Sequence, residues 1–266
     1  MISIIVHSTN RSKELNKFLR SLTHQTEKDF EVVIVDNQST DNTVEVISKY
    51  ADKLRITHVV TQFADSQISN LNPLMYNLGV AEANSDKIIL TVSDTIWEIN
   101  NVKNALELFD ENKVIYGRAL QVENSALTKN IRKFDIDKHP ELNEFTANQK
   151  AEAYFKVHEK YHKQPVFYIA VLSKKVYEKI GGMDERFMTM IASSDVDLGF
   201  RLACVVKEQF TDKLFVYHQK HKTKEIDKAK WDAGITLRNQ NHARALKGEY
   251  KVNNPERTIV IDIKEY

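Results

Sequence analysis

Four short runs of apolar and β-branched residues constrain this chain most: Ser3-Ile4-Ile5-Val6, Glu31-Val32-Val33-Ile34-Val35, Leu54 to Val60, and Ile88-Ile89-Leu90-Thr91-Val92. The first, second and fourth are apolar almost throughout, the pattern of strands covered on both faces. Helical periodicities separate them. Leu15, Phe18, Leu19 and Leu22 recur at i, i+3, i+4 and i+7, and Val44, Ile47 and Tyr50 follow a polar cluster that reads as a cap. Asn72-Pro73 opens a third helix with proline at its first position, running through Leu74, Met75 and Leu78 towards Ala83. Strand, helix, strand, helix with buried-type strands predicts a mostly parallel, Rossmann-like α/β sheet flanked by helices. Right-handed crossovers then bring the strand C-termini to one edge. The polar turns His7–Asn10, Asp36–Asn42 and Ser93–Thr95 should gather there, two of them carrying carboxylates. Open α/β sheets bind ligands at that edge. Asp94 is therefore a candidate for facing a ligand, and its plainer role is to cap the following helix.

Beyond Trp97 the rhythm loosens. Asn101 to Phe109 is expected to be a helix and Val114 to Gly117 a strand. Gln121 to Gln164 is polar and reads as an insertion with a helix somewhere between Glu141 and Tyr161. Val166 to Val171 and Leu214 to Tyr217 read as strands, Lys174 to Ile180 as a short helix stopped by Gly181-Gly182, and Asp195 to Val206 as a helix. A basic helix is expected between Lys222 and Lys247, its charge forming a solvated face, and Thr258 to Ile263 could add an edge strand.

Composition narrows the classes. With 38 Lys+Arg against 37 Asp+Glu the net charge is +1, which gives no footprint for nucleic acid or an anionic membrane. The single cysteine, Cys204, cannot form an internal disulfide; it points to a reducing compartment and is expected to be a small buried hydrophobe. No apolar run approaches the roughly 18–20 residues of a membrane span, and no signal peptide is expected at the N-terminus. A cytoplasmic protein is the expectation.

Several separated segments together resemble the family-2 glycosyltransferases of GT-A fold. Ser3 to Arg11 followed by Val33-Ile34-Val35-Asp36-Asn37-Gln38-Ser39-Thr40-Asp41-Asn42-Thr43 resembles their nucleotide-binding strand–turn pattern V-D-[ND]-x-S-x-D-x-T. Asn77-Leu78-Gly79-Val80-Ala81-Glu82-Ala83 resembles the segment before the family's D-x-D motif. Gly181-Gly182-Met183-Asp184-Glu185-Arg186-Phe187 and Asp195-Val196-Asp197-Leu198-Gly199-Phe200-Arg201-Leu202 resemble the acceptor-side pattern, and Val216-Tyr217-His218-Gln219-Lys220-His221 resembles a V-x-H-x-x-H. Order and spacing agree over roughly the first 220 residues, which carries more weight than any single motif.

The resemblance implies an inverting transfer of a sugar from a nucleotide diphosphate donor, UDP by default, to a hydroxyl of a glycan or lipid-linked saccharide. It implies Asp36, Ser8, Thr9, Asn10, Arg11 and Gln38 about the nucleotide, with Asn77 and Ser93 nearby. Asp94 and His218 would ligate Mn²⁺ or Mg²⁺, imidazole favouring Mn²⁺. Asp195 would be the general base. Asp184, Glu185, Asp197 and Trp97 would lie by the acceptor or sugar. Plainer roles stand beside these: Asp36 as a turn residue, Asp195 as a helix cap, Asp197–Arg201 as a surface ion pair, His218 as an edge residue and Trp97 as core. Lys220, His221 and Lys222 could touch phosphate or form a solvated loop. Residues 1–98 would be the nucleotide-sugar half, 99–221 the acceptor-binding and catalytic half, and 222–266 a C-terminal helical extension. Polysaccharide or surface-glycan assembly follows, with peripheral association at the inner membrane face through a glycan assembly complex.

The chain departs from the pattern where it matters. Val92 stands where the first aspartate of D-x-D belongs, Tyr76 replaces an arginine, Ser194 replaces an acidic residue, and Met188 to Ser193 replaces a G-W-G-G run. A glycosyltransferase-like nucleotide-sugar-binding module with impaired catalysis is thus a competing reading, supported by Val92. A nucleotidyltransferase fits less well, because the loop His7-Ser8-Thr9-Asn10-Arg11 has no glycine. A dinucleotide dehydrogenase fits least, with no G-x-G-x-x-G.

Overall fold

The computed structural model describes residues 1–62, 68–121, 168–191, 193–219, 226–255 and 260–266. The helix expected between Glu141 and Tyr161, nearly all of the polar insertion, and Lys220, His221 and Lys222 lie outside these residues.

The parallel strands fall where the apolar runs required. β1 (Ile2–His7), β2 (Phe30–Asp36), β3 (Ile56–Gln62) and β4 (Lys87–Val92) form a parallel block in the order β4-β1-β2-β3. The connections carry α1 (Ser12–Thr23), α2 (Thr43–Ser48) and α3 (Asn72–Ala81). Successive strand residues point to opposite faces. Ile2, Ile4 and Val6 of β1 therefore meet Leu15, Phe18, Leu19 and Leu22 of α1, while Ile5, Val33 and Val35 meet Met75, Tyr76 and Val80 of α3. The four α1 side chains are fully buried, each worth roughly 1.5–3 kcal/mol in area removed from water. Gly79 lets α3 lie close to the sheet, since a Cβ there would come within 2.5 Å of Ile5 Cγ2 and 3.0 Å of Val35 Cγ2.

The rest of the sheet is mixed. After β4 come β5 (Thr95–Trp97), α4 (Asn101–Leu108), β6 (Lys113–Gln121), β7 (Ile169–Ser173) and α5 (Lys174–Lys179). A 3₁₀ helix (Glu185–Thr189), α6 (Ser194–Ala203), β8 (Lys207–His218), α7 (Lys228–Ala245) and β9 (Val260–Glu265) complete the described elements. The nine strands form one sheet in the order β5-β8-β6-β7-β4-β1-β2-β3-β9. β7 runs antiparallel to β4, and β9 closes the far edge antiparallel to β3. No helix among the described residues is long and apolar enough to cross a membrane.

Several expectations are corrected. Asp94 caps no helix: the chain turns at Ser93-Asp94 into β5, which pairs with β8 so that Thr95 lies opposite His218. The helix expected to reach Val206 stops at Ala203, because Lys207 already begins the twelve-residue β8. Cys204, at the end of that helix, is exposed rather than buried.

Candidate active site

The C-terminal ends of β1, β2 and β4 lie side by side, and their loops are tied together. Asn10 donates its backbone N–H to Ser39 Oγ at 2.8 Å and accepts from Thr40 N–H through its side-chain oxygen at 2.8 Å. Asp41 accepts from Ser12 N–H at 2.9 Å at the start of α1, and Ser8 N–H donates to Val35 O at 3.0 Å. Thr9 is half-buried between these ties. Three described non-glycine residues hold a positive φ: Asn10 (52°), Gln38 (48°) and Ser193 (74°). Asn10 and Gln38 sit in the loops at this edge and Ser193 directly before α6, and such conformations persist where surrounding structure enforces them.

Asp94 is almost wholly buried at the lip. Arg11 Nη1 donates to its Oδ2 at 3.1 Å, and His218 Nε2 lies 3.5 Å from its Oδ1. β5 and β8 deliver this pair: Gln219 N–H donates to Asp94 O at 2.7 Å, locking the turn to the end of β8. Ser93 is buried beside it. A carboxylate and an imidazole at this separation suit a divalent cation whose other positions are filled by diphosphate oxygens and water. No group of three or more His, Cys, Asp or Glu that could hold a metal occurs among the described residues.

At the end of β4 is a cleft of about 300 Å³ lined by Ser69, Asn70, Asn72, Tyr76, Val92, Met183, Ile191, Ser194 and Asp195. Asp195 occupies the first turn of α6, and its carboxylate accepts from Val196 N–H at 2.9 Å. Burial pushes its pKa up, against the pull of that backbone bond. Tyr76 registers both sides of the site. Burial first, then the negative charges of Asp94 and Asp195, push its hydroxyl well above the usual phenol range. That hydroxyl donates to Thr91 O at 2.8 Å. His7 stands edge-on to Tyr76 with ring centroids 5.0 Å apart. Burial lowers its pKa to about 4, the attraction of Asp94 opposing and the repulsion of Arg11 assisting, so the ring is neutral at neutral pH.

The other expected residues divide. Asp36 is buried at the end of β2, where its Oδ1 accepts from Ser39 N–H at 3.1 Å and from Ser39 Oγ at 2.6 Å. Gln38 is exposed on the same loop. Asn77 does not face the nucleotide loops. Its side-chain oxygen accepts from Tyr177 and from Met183 N–H, and its amide donates to Met183 O and Glu185 Oε1. It therefore fixes the 183–185 segment, and Glu185 is buried there.

Asp184 and Asp197 belong to one buried network. Asn241 of α7 donates to both at 2.8 Å, Arg186 pairs with Asp184, and Arg201 Nε donates to Asp197 at 2.8 Å. Arg201 also holds the carbonyls of Ile180 and Gly182. The Asp197–Arg201 pair is thus buried rather than on the surface, and both aspartates brace the segment before Asp195. Burial works against ionisation of Asp184, but the bonds from Arg186 and Asn241 outweigh it and hold its carboxyl low.

Trp97 is corrected outright. It is 1% exposed, edge-on to Phe18, with Nε1 donating to Thr95 Oγ1 at 3.3 Å, so it is core and offers no platform to a sugar. Ser69 and Asn70, in the cleft wall, belong to no motif of the sequence. Their backbone N–H groups both donate to Met188 O, a tie that no local pattern announces.

A mixed sheet with a parallel core block, flanked by helices and carrying polar turns at the C-terminal ends of its parallel strands, is the architecture of the GT-A-type glycosyltransferases. The chain matches the family model described as "Glycosyl transferase family 2" over residues 3–180 and belongs to that family. An uncharacterized glycosyltransferase of Nostoc sp. is 26% identical over 123 residues, 43% of this chain and 34% of the relative. The poly(ribitol-phosphate) β-N-acetylglucosaminyltransferase TarS of Staphylococcus aureus is 30% identical over 112 residues, 41% of this chain and 19% of TarS. The match thus spans only about a fifth to a third of those curated relatives' lengths. Residues 1–349 of TarS in complex with UDP-GlcNAc superpose with a TM-score of 0.62 at 18% identity, covering 89% of this chain and 65% of that one. A mannosyltransferase from Pyrobaculum calidifontis in complex with GDP-Man and Mn²⁺ gives 0.55 at 18% identity, covering 96% and 65%. At these identities the superpositions establish the fold.

Proposed function

We propose that the chain is an inverting, divalent-metal-dependent glycosyltransferase that moves a sugar from a UDP-sugar to a hydroxyl of a glycan or lipid-linked saccharide. One observation carries this reading: Asp94, paired with His218, follows directly on β4, whose last residue Val92 lines the same cleft as Asp195. Asp94 and His218 would hold the cation, Mn²⁺ before Mg²⁺ because of the imidazole. When bound, the ion supplies positive charge to the departing diphosphate. Arg11, on the second oxygen of Asp94, adds a guanidinium on the same side. Asp195 takes the proton of the acceptor hydroxyl while that oxygen bonds to the anomeric carbon and the bond to the diphosphate oxygen breaks. UDP leaves with the bonding electrons, and one displacement inverts the carbon. The raised pKa of Asp195 makes it a stronger base than an exposed aspartate.

Relatives solved with UDP-GlcNAc and with GDP-Man and Mn²⁺ support a nucleotide-sugar donor and a metal. Ser8, Thr9 and Asp36 would border the nucleoside, and peripheral work beside a glycan assembly complex at the inner membrane face is the setting we propose. Calorimetric titration of UDP with and without Mn²⁺ tests the donor reading in wild type, Asp94→Ala and His218→Ala. Binding that strengthens with Mn²⁺ only in the wild type is expected; no UDP binding under either condition refutes it. Val92, where a second carboxylate would sit, favours the alternative of a nucleotide-sugar-binding module with impaired catalysis. Donor hydrolysis that disappears in Asp195→Asn decides for the enzyme.

A further inference from the structure

We propose that His58 is a positioning residue for base recognition, holding the Asp36 carboxylate so that it accepts the ring N–H of uracil. This rests on the proposed place of Asp36 at the nucleoside, where its carboxylate would accept from the base. His58 lies in β3, opposite Ile34 of β2 and Lys264 of β9, and is fully buried. It shares its face of the strand with the buried Ile56, a position where an apolar side chain is the ordinary choice. Its Nε2 lies 3.6 Å from Asp36 Oδ2, and neither ring nitrogen has a hydrogen-bond partner among the described residues. Buried polar groups are nearly always bonded, so an imidazole kept in such a place calls for a reason.

Asp36 supplies the reason. Ser39 occupies its Oδ1 twice, leaving Oδ2 turned towards His58. A shift of about 0.4 Å brings Nε2 into ordinary N–H···O range. A carboxylate only accepts, so it favours a base edge carrying an N–H. Uracil presents N3–H there, whereas cytosine presents a lone pair and is repelled. That discrimination requires the carboxylate to be held at a fixed angle, and a donor behind it does this as outer-shell donors orient metal ligands. The ring of Tyr266, 6.4 Å from that of His58, closes the far side.

The test compares His58→Leu, which removes the donor, with His58→Gln, whose amide can reach the Nε2 position. UDP and CDP dissociation constants and melting temperature are measured for each variant of the 266-residue chain, with Asp36→Ala alongside. His58→Leu is expected to melt no lower than wild type, to bind UDP at least tenfold more weakly and to leave CDP unchanged, which narrows the uracil preference. His58→Gln is expected to restore most of the UDP affinity. UDP affinity of His58→Leu within threefold of wild type overturns the proposal. So does an equal loss for UDP and CDP in both variants with a lowered melting temperature, which would mark a packing role. If Asp36→Ala leaves UDP binding intact, the base reading of Asp36 fails, and the role of His58 fails with it.

Discussion

Replacing Asp195 by Asn separates the proposed chemistry from the fold. The asparagine oxygen can keep the bond from Val196 N–H, now 2.9 Å, so α6 should start where it does. What is lost is the base. Among the cleft-lining residues no other carboxylate stands ready, and the Tyr76 hydroxyl is held in its neutral form by burial and two negative neighbours while donating to Thr91 O. The full contribution of a general base should therefore disappear, about 10²- to 10⁴-fold in kcat, or roughly 3–5 kcal/mol of barrier. UDP affinity should stay within about twofold. The assay is release of UDP from UDP-GlcNAc and other UDP-sugars, with and without a saccharide acceptor. Stability should move oppositely. Because burial raises the folded pKa of Asp195 above its unfolded value of about 3.9, its contribution is fully present below that value and is lost as pH rises through the folded pKa. The amide variant lacks that loss, so it should gain on the wild type as pH rises through the window and melt higher at neutral pH. Turnover within fivefold of wild type would refute the base assignment. A large loss of UDP affinity would show that Asp195 serves the donor instead.

Three further outcomes follow from the same geometry. Asn77→Ala removes the bonds that hold Met183 and Glu185, so it should cost about 2 kcal/mol in denaturant unfolding and raise the acceptor KM severalfold with UDP affinity unchanged. Val92→Asp puts a carboxylate on the cleft wall opposite His7, and Mn²⁺ affinity measured by calorimetry should rise about tenfold, as each added charged ligand strengthens an oxygen-rich site. Trp97→Ala should cost about 3–5 kcal/mol in chemical denaturation and lower the melting temperature by about 10 °C, without weakening UDP binding by the molecules that remain folded.

The rim of the sheet was legible because its causes are local. Apolar runs broken at His7, Asp36 and Ser93 must end somewhere, and right-handed crossovers leave one edge for all of them. What the sequence could not say is where each side chain spends its hydrogen bonds. Asn77 and Asp184 sit in motif positions that suggest ligands, yet their bonding capacity goes to Met183, Glu185, Arg186 and Asn241. Asn241 lies far along the chain on α7, in a segment whose pattern showed only basic charge, so no spacing could join it to Asp197. Trp97 failed for a related reason: β5 pairs with β8, a contact across more than a hundred residues, and that pairing turns its indole into the core beside Phe18.

These displacements share a direction. Asn77 and Arg201 brace the 180–185 segment, and Asp94, His218 and Asp195, which the proposed mechanism uses, are carried by strand ends or a helix start. A site whose reacting groups sit on rigid termini and whose neighbours are spent on bracing is preorganised, the arrangement that electrostatic stabilisation of a leaving group requires. In the proposed mechanism, valine rather than aspartate at position 92 would weaken the metal contribution without dismantling the frame. That is why the Val92→Asp gain and the Asp195→Asn loss should appear separately, the first in ion affinity and the second in turnover.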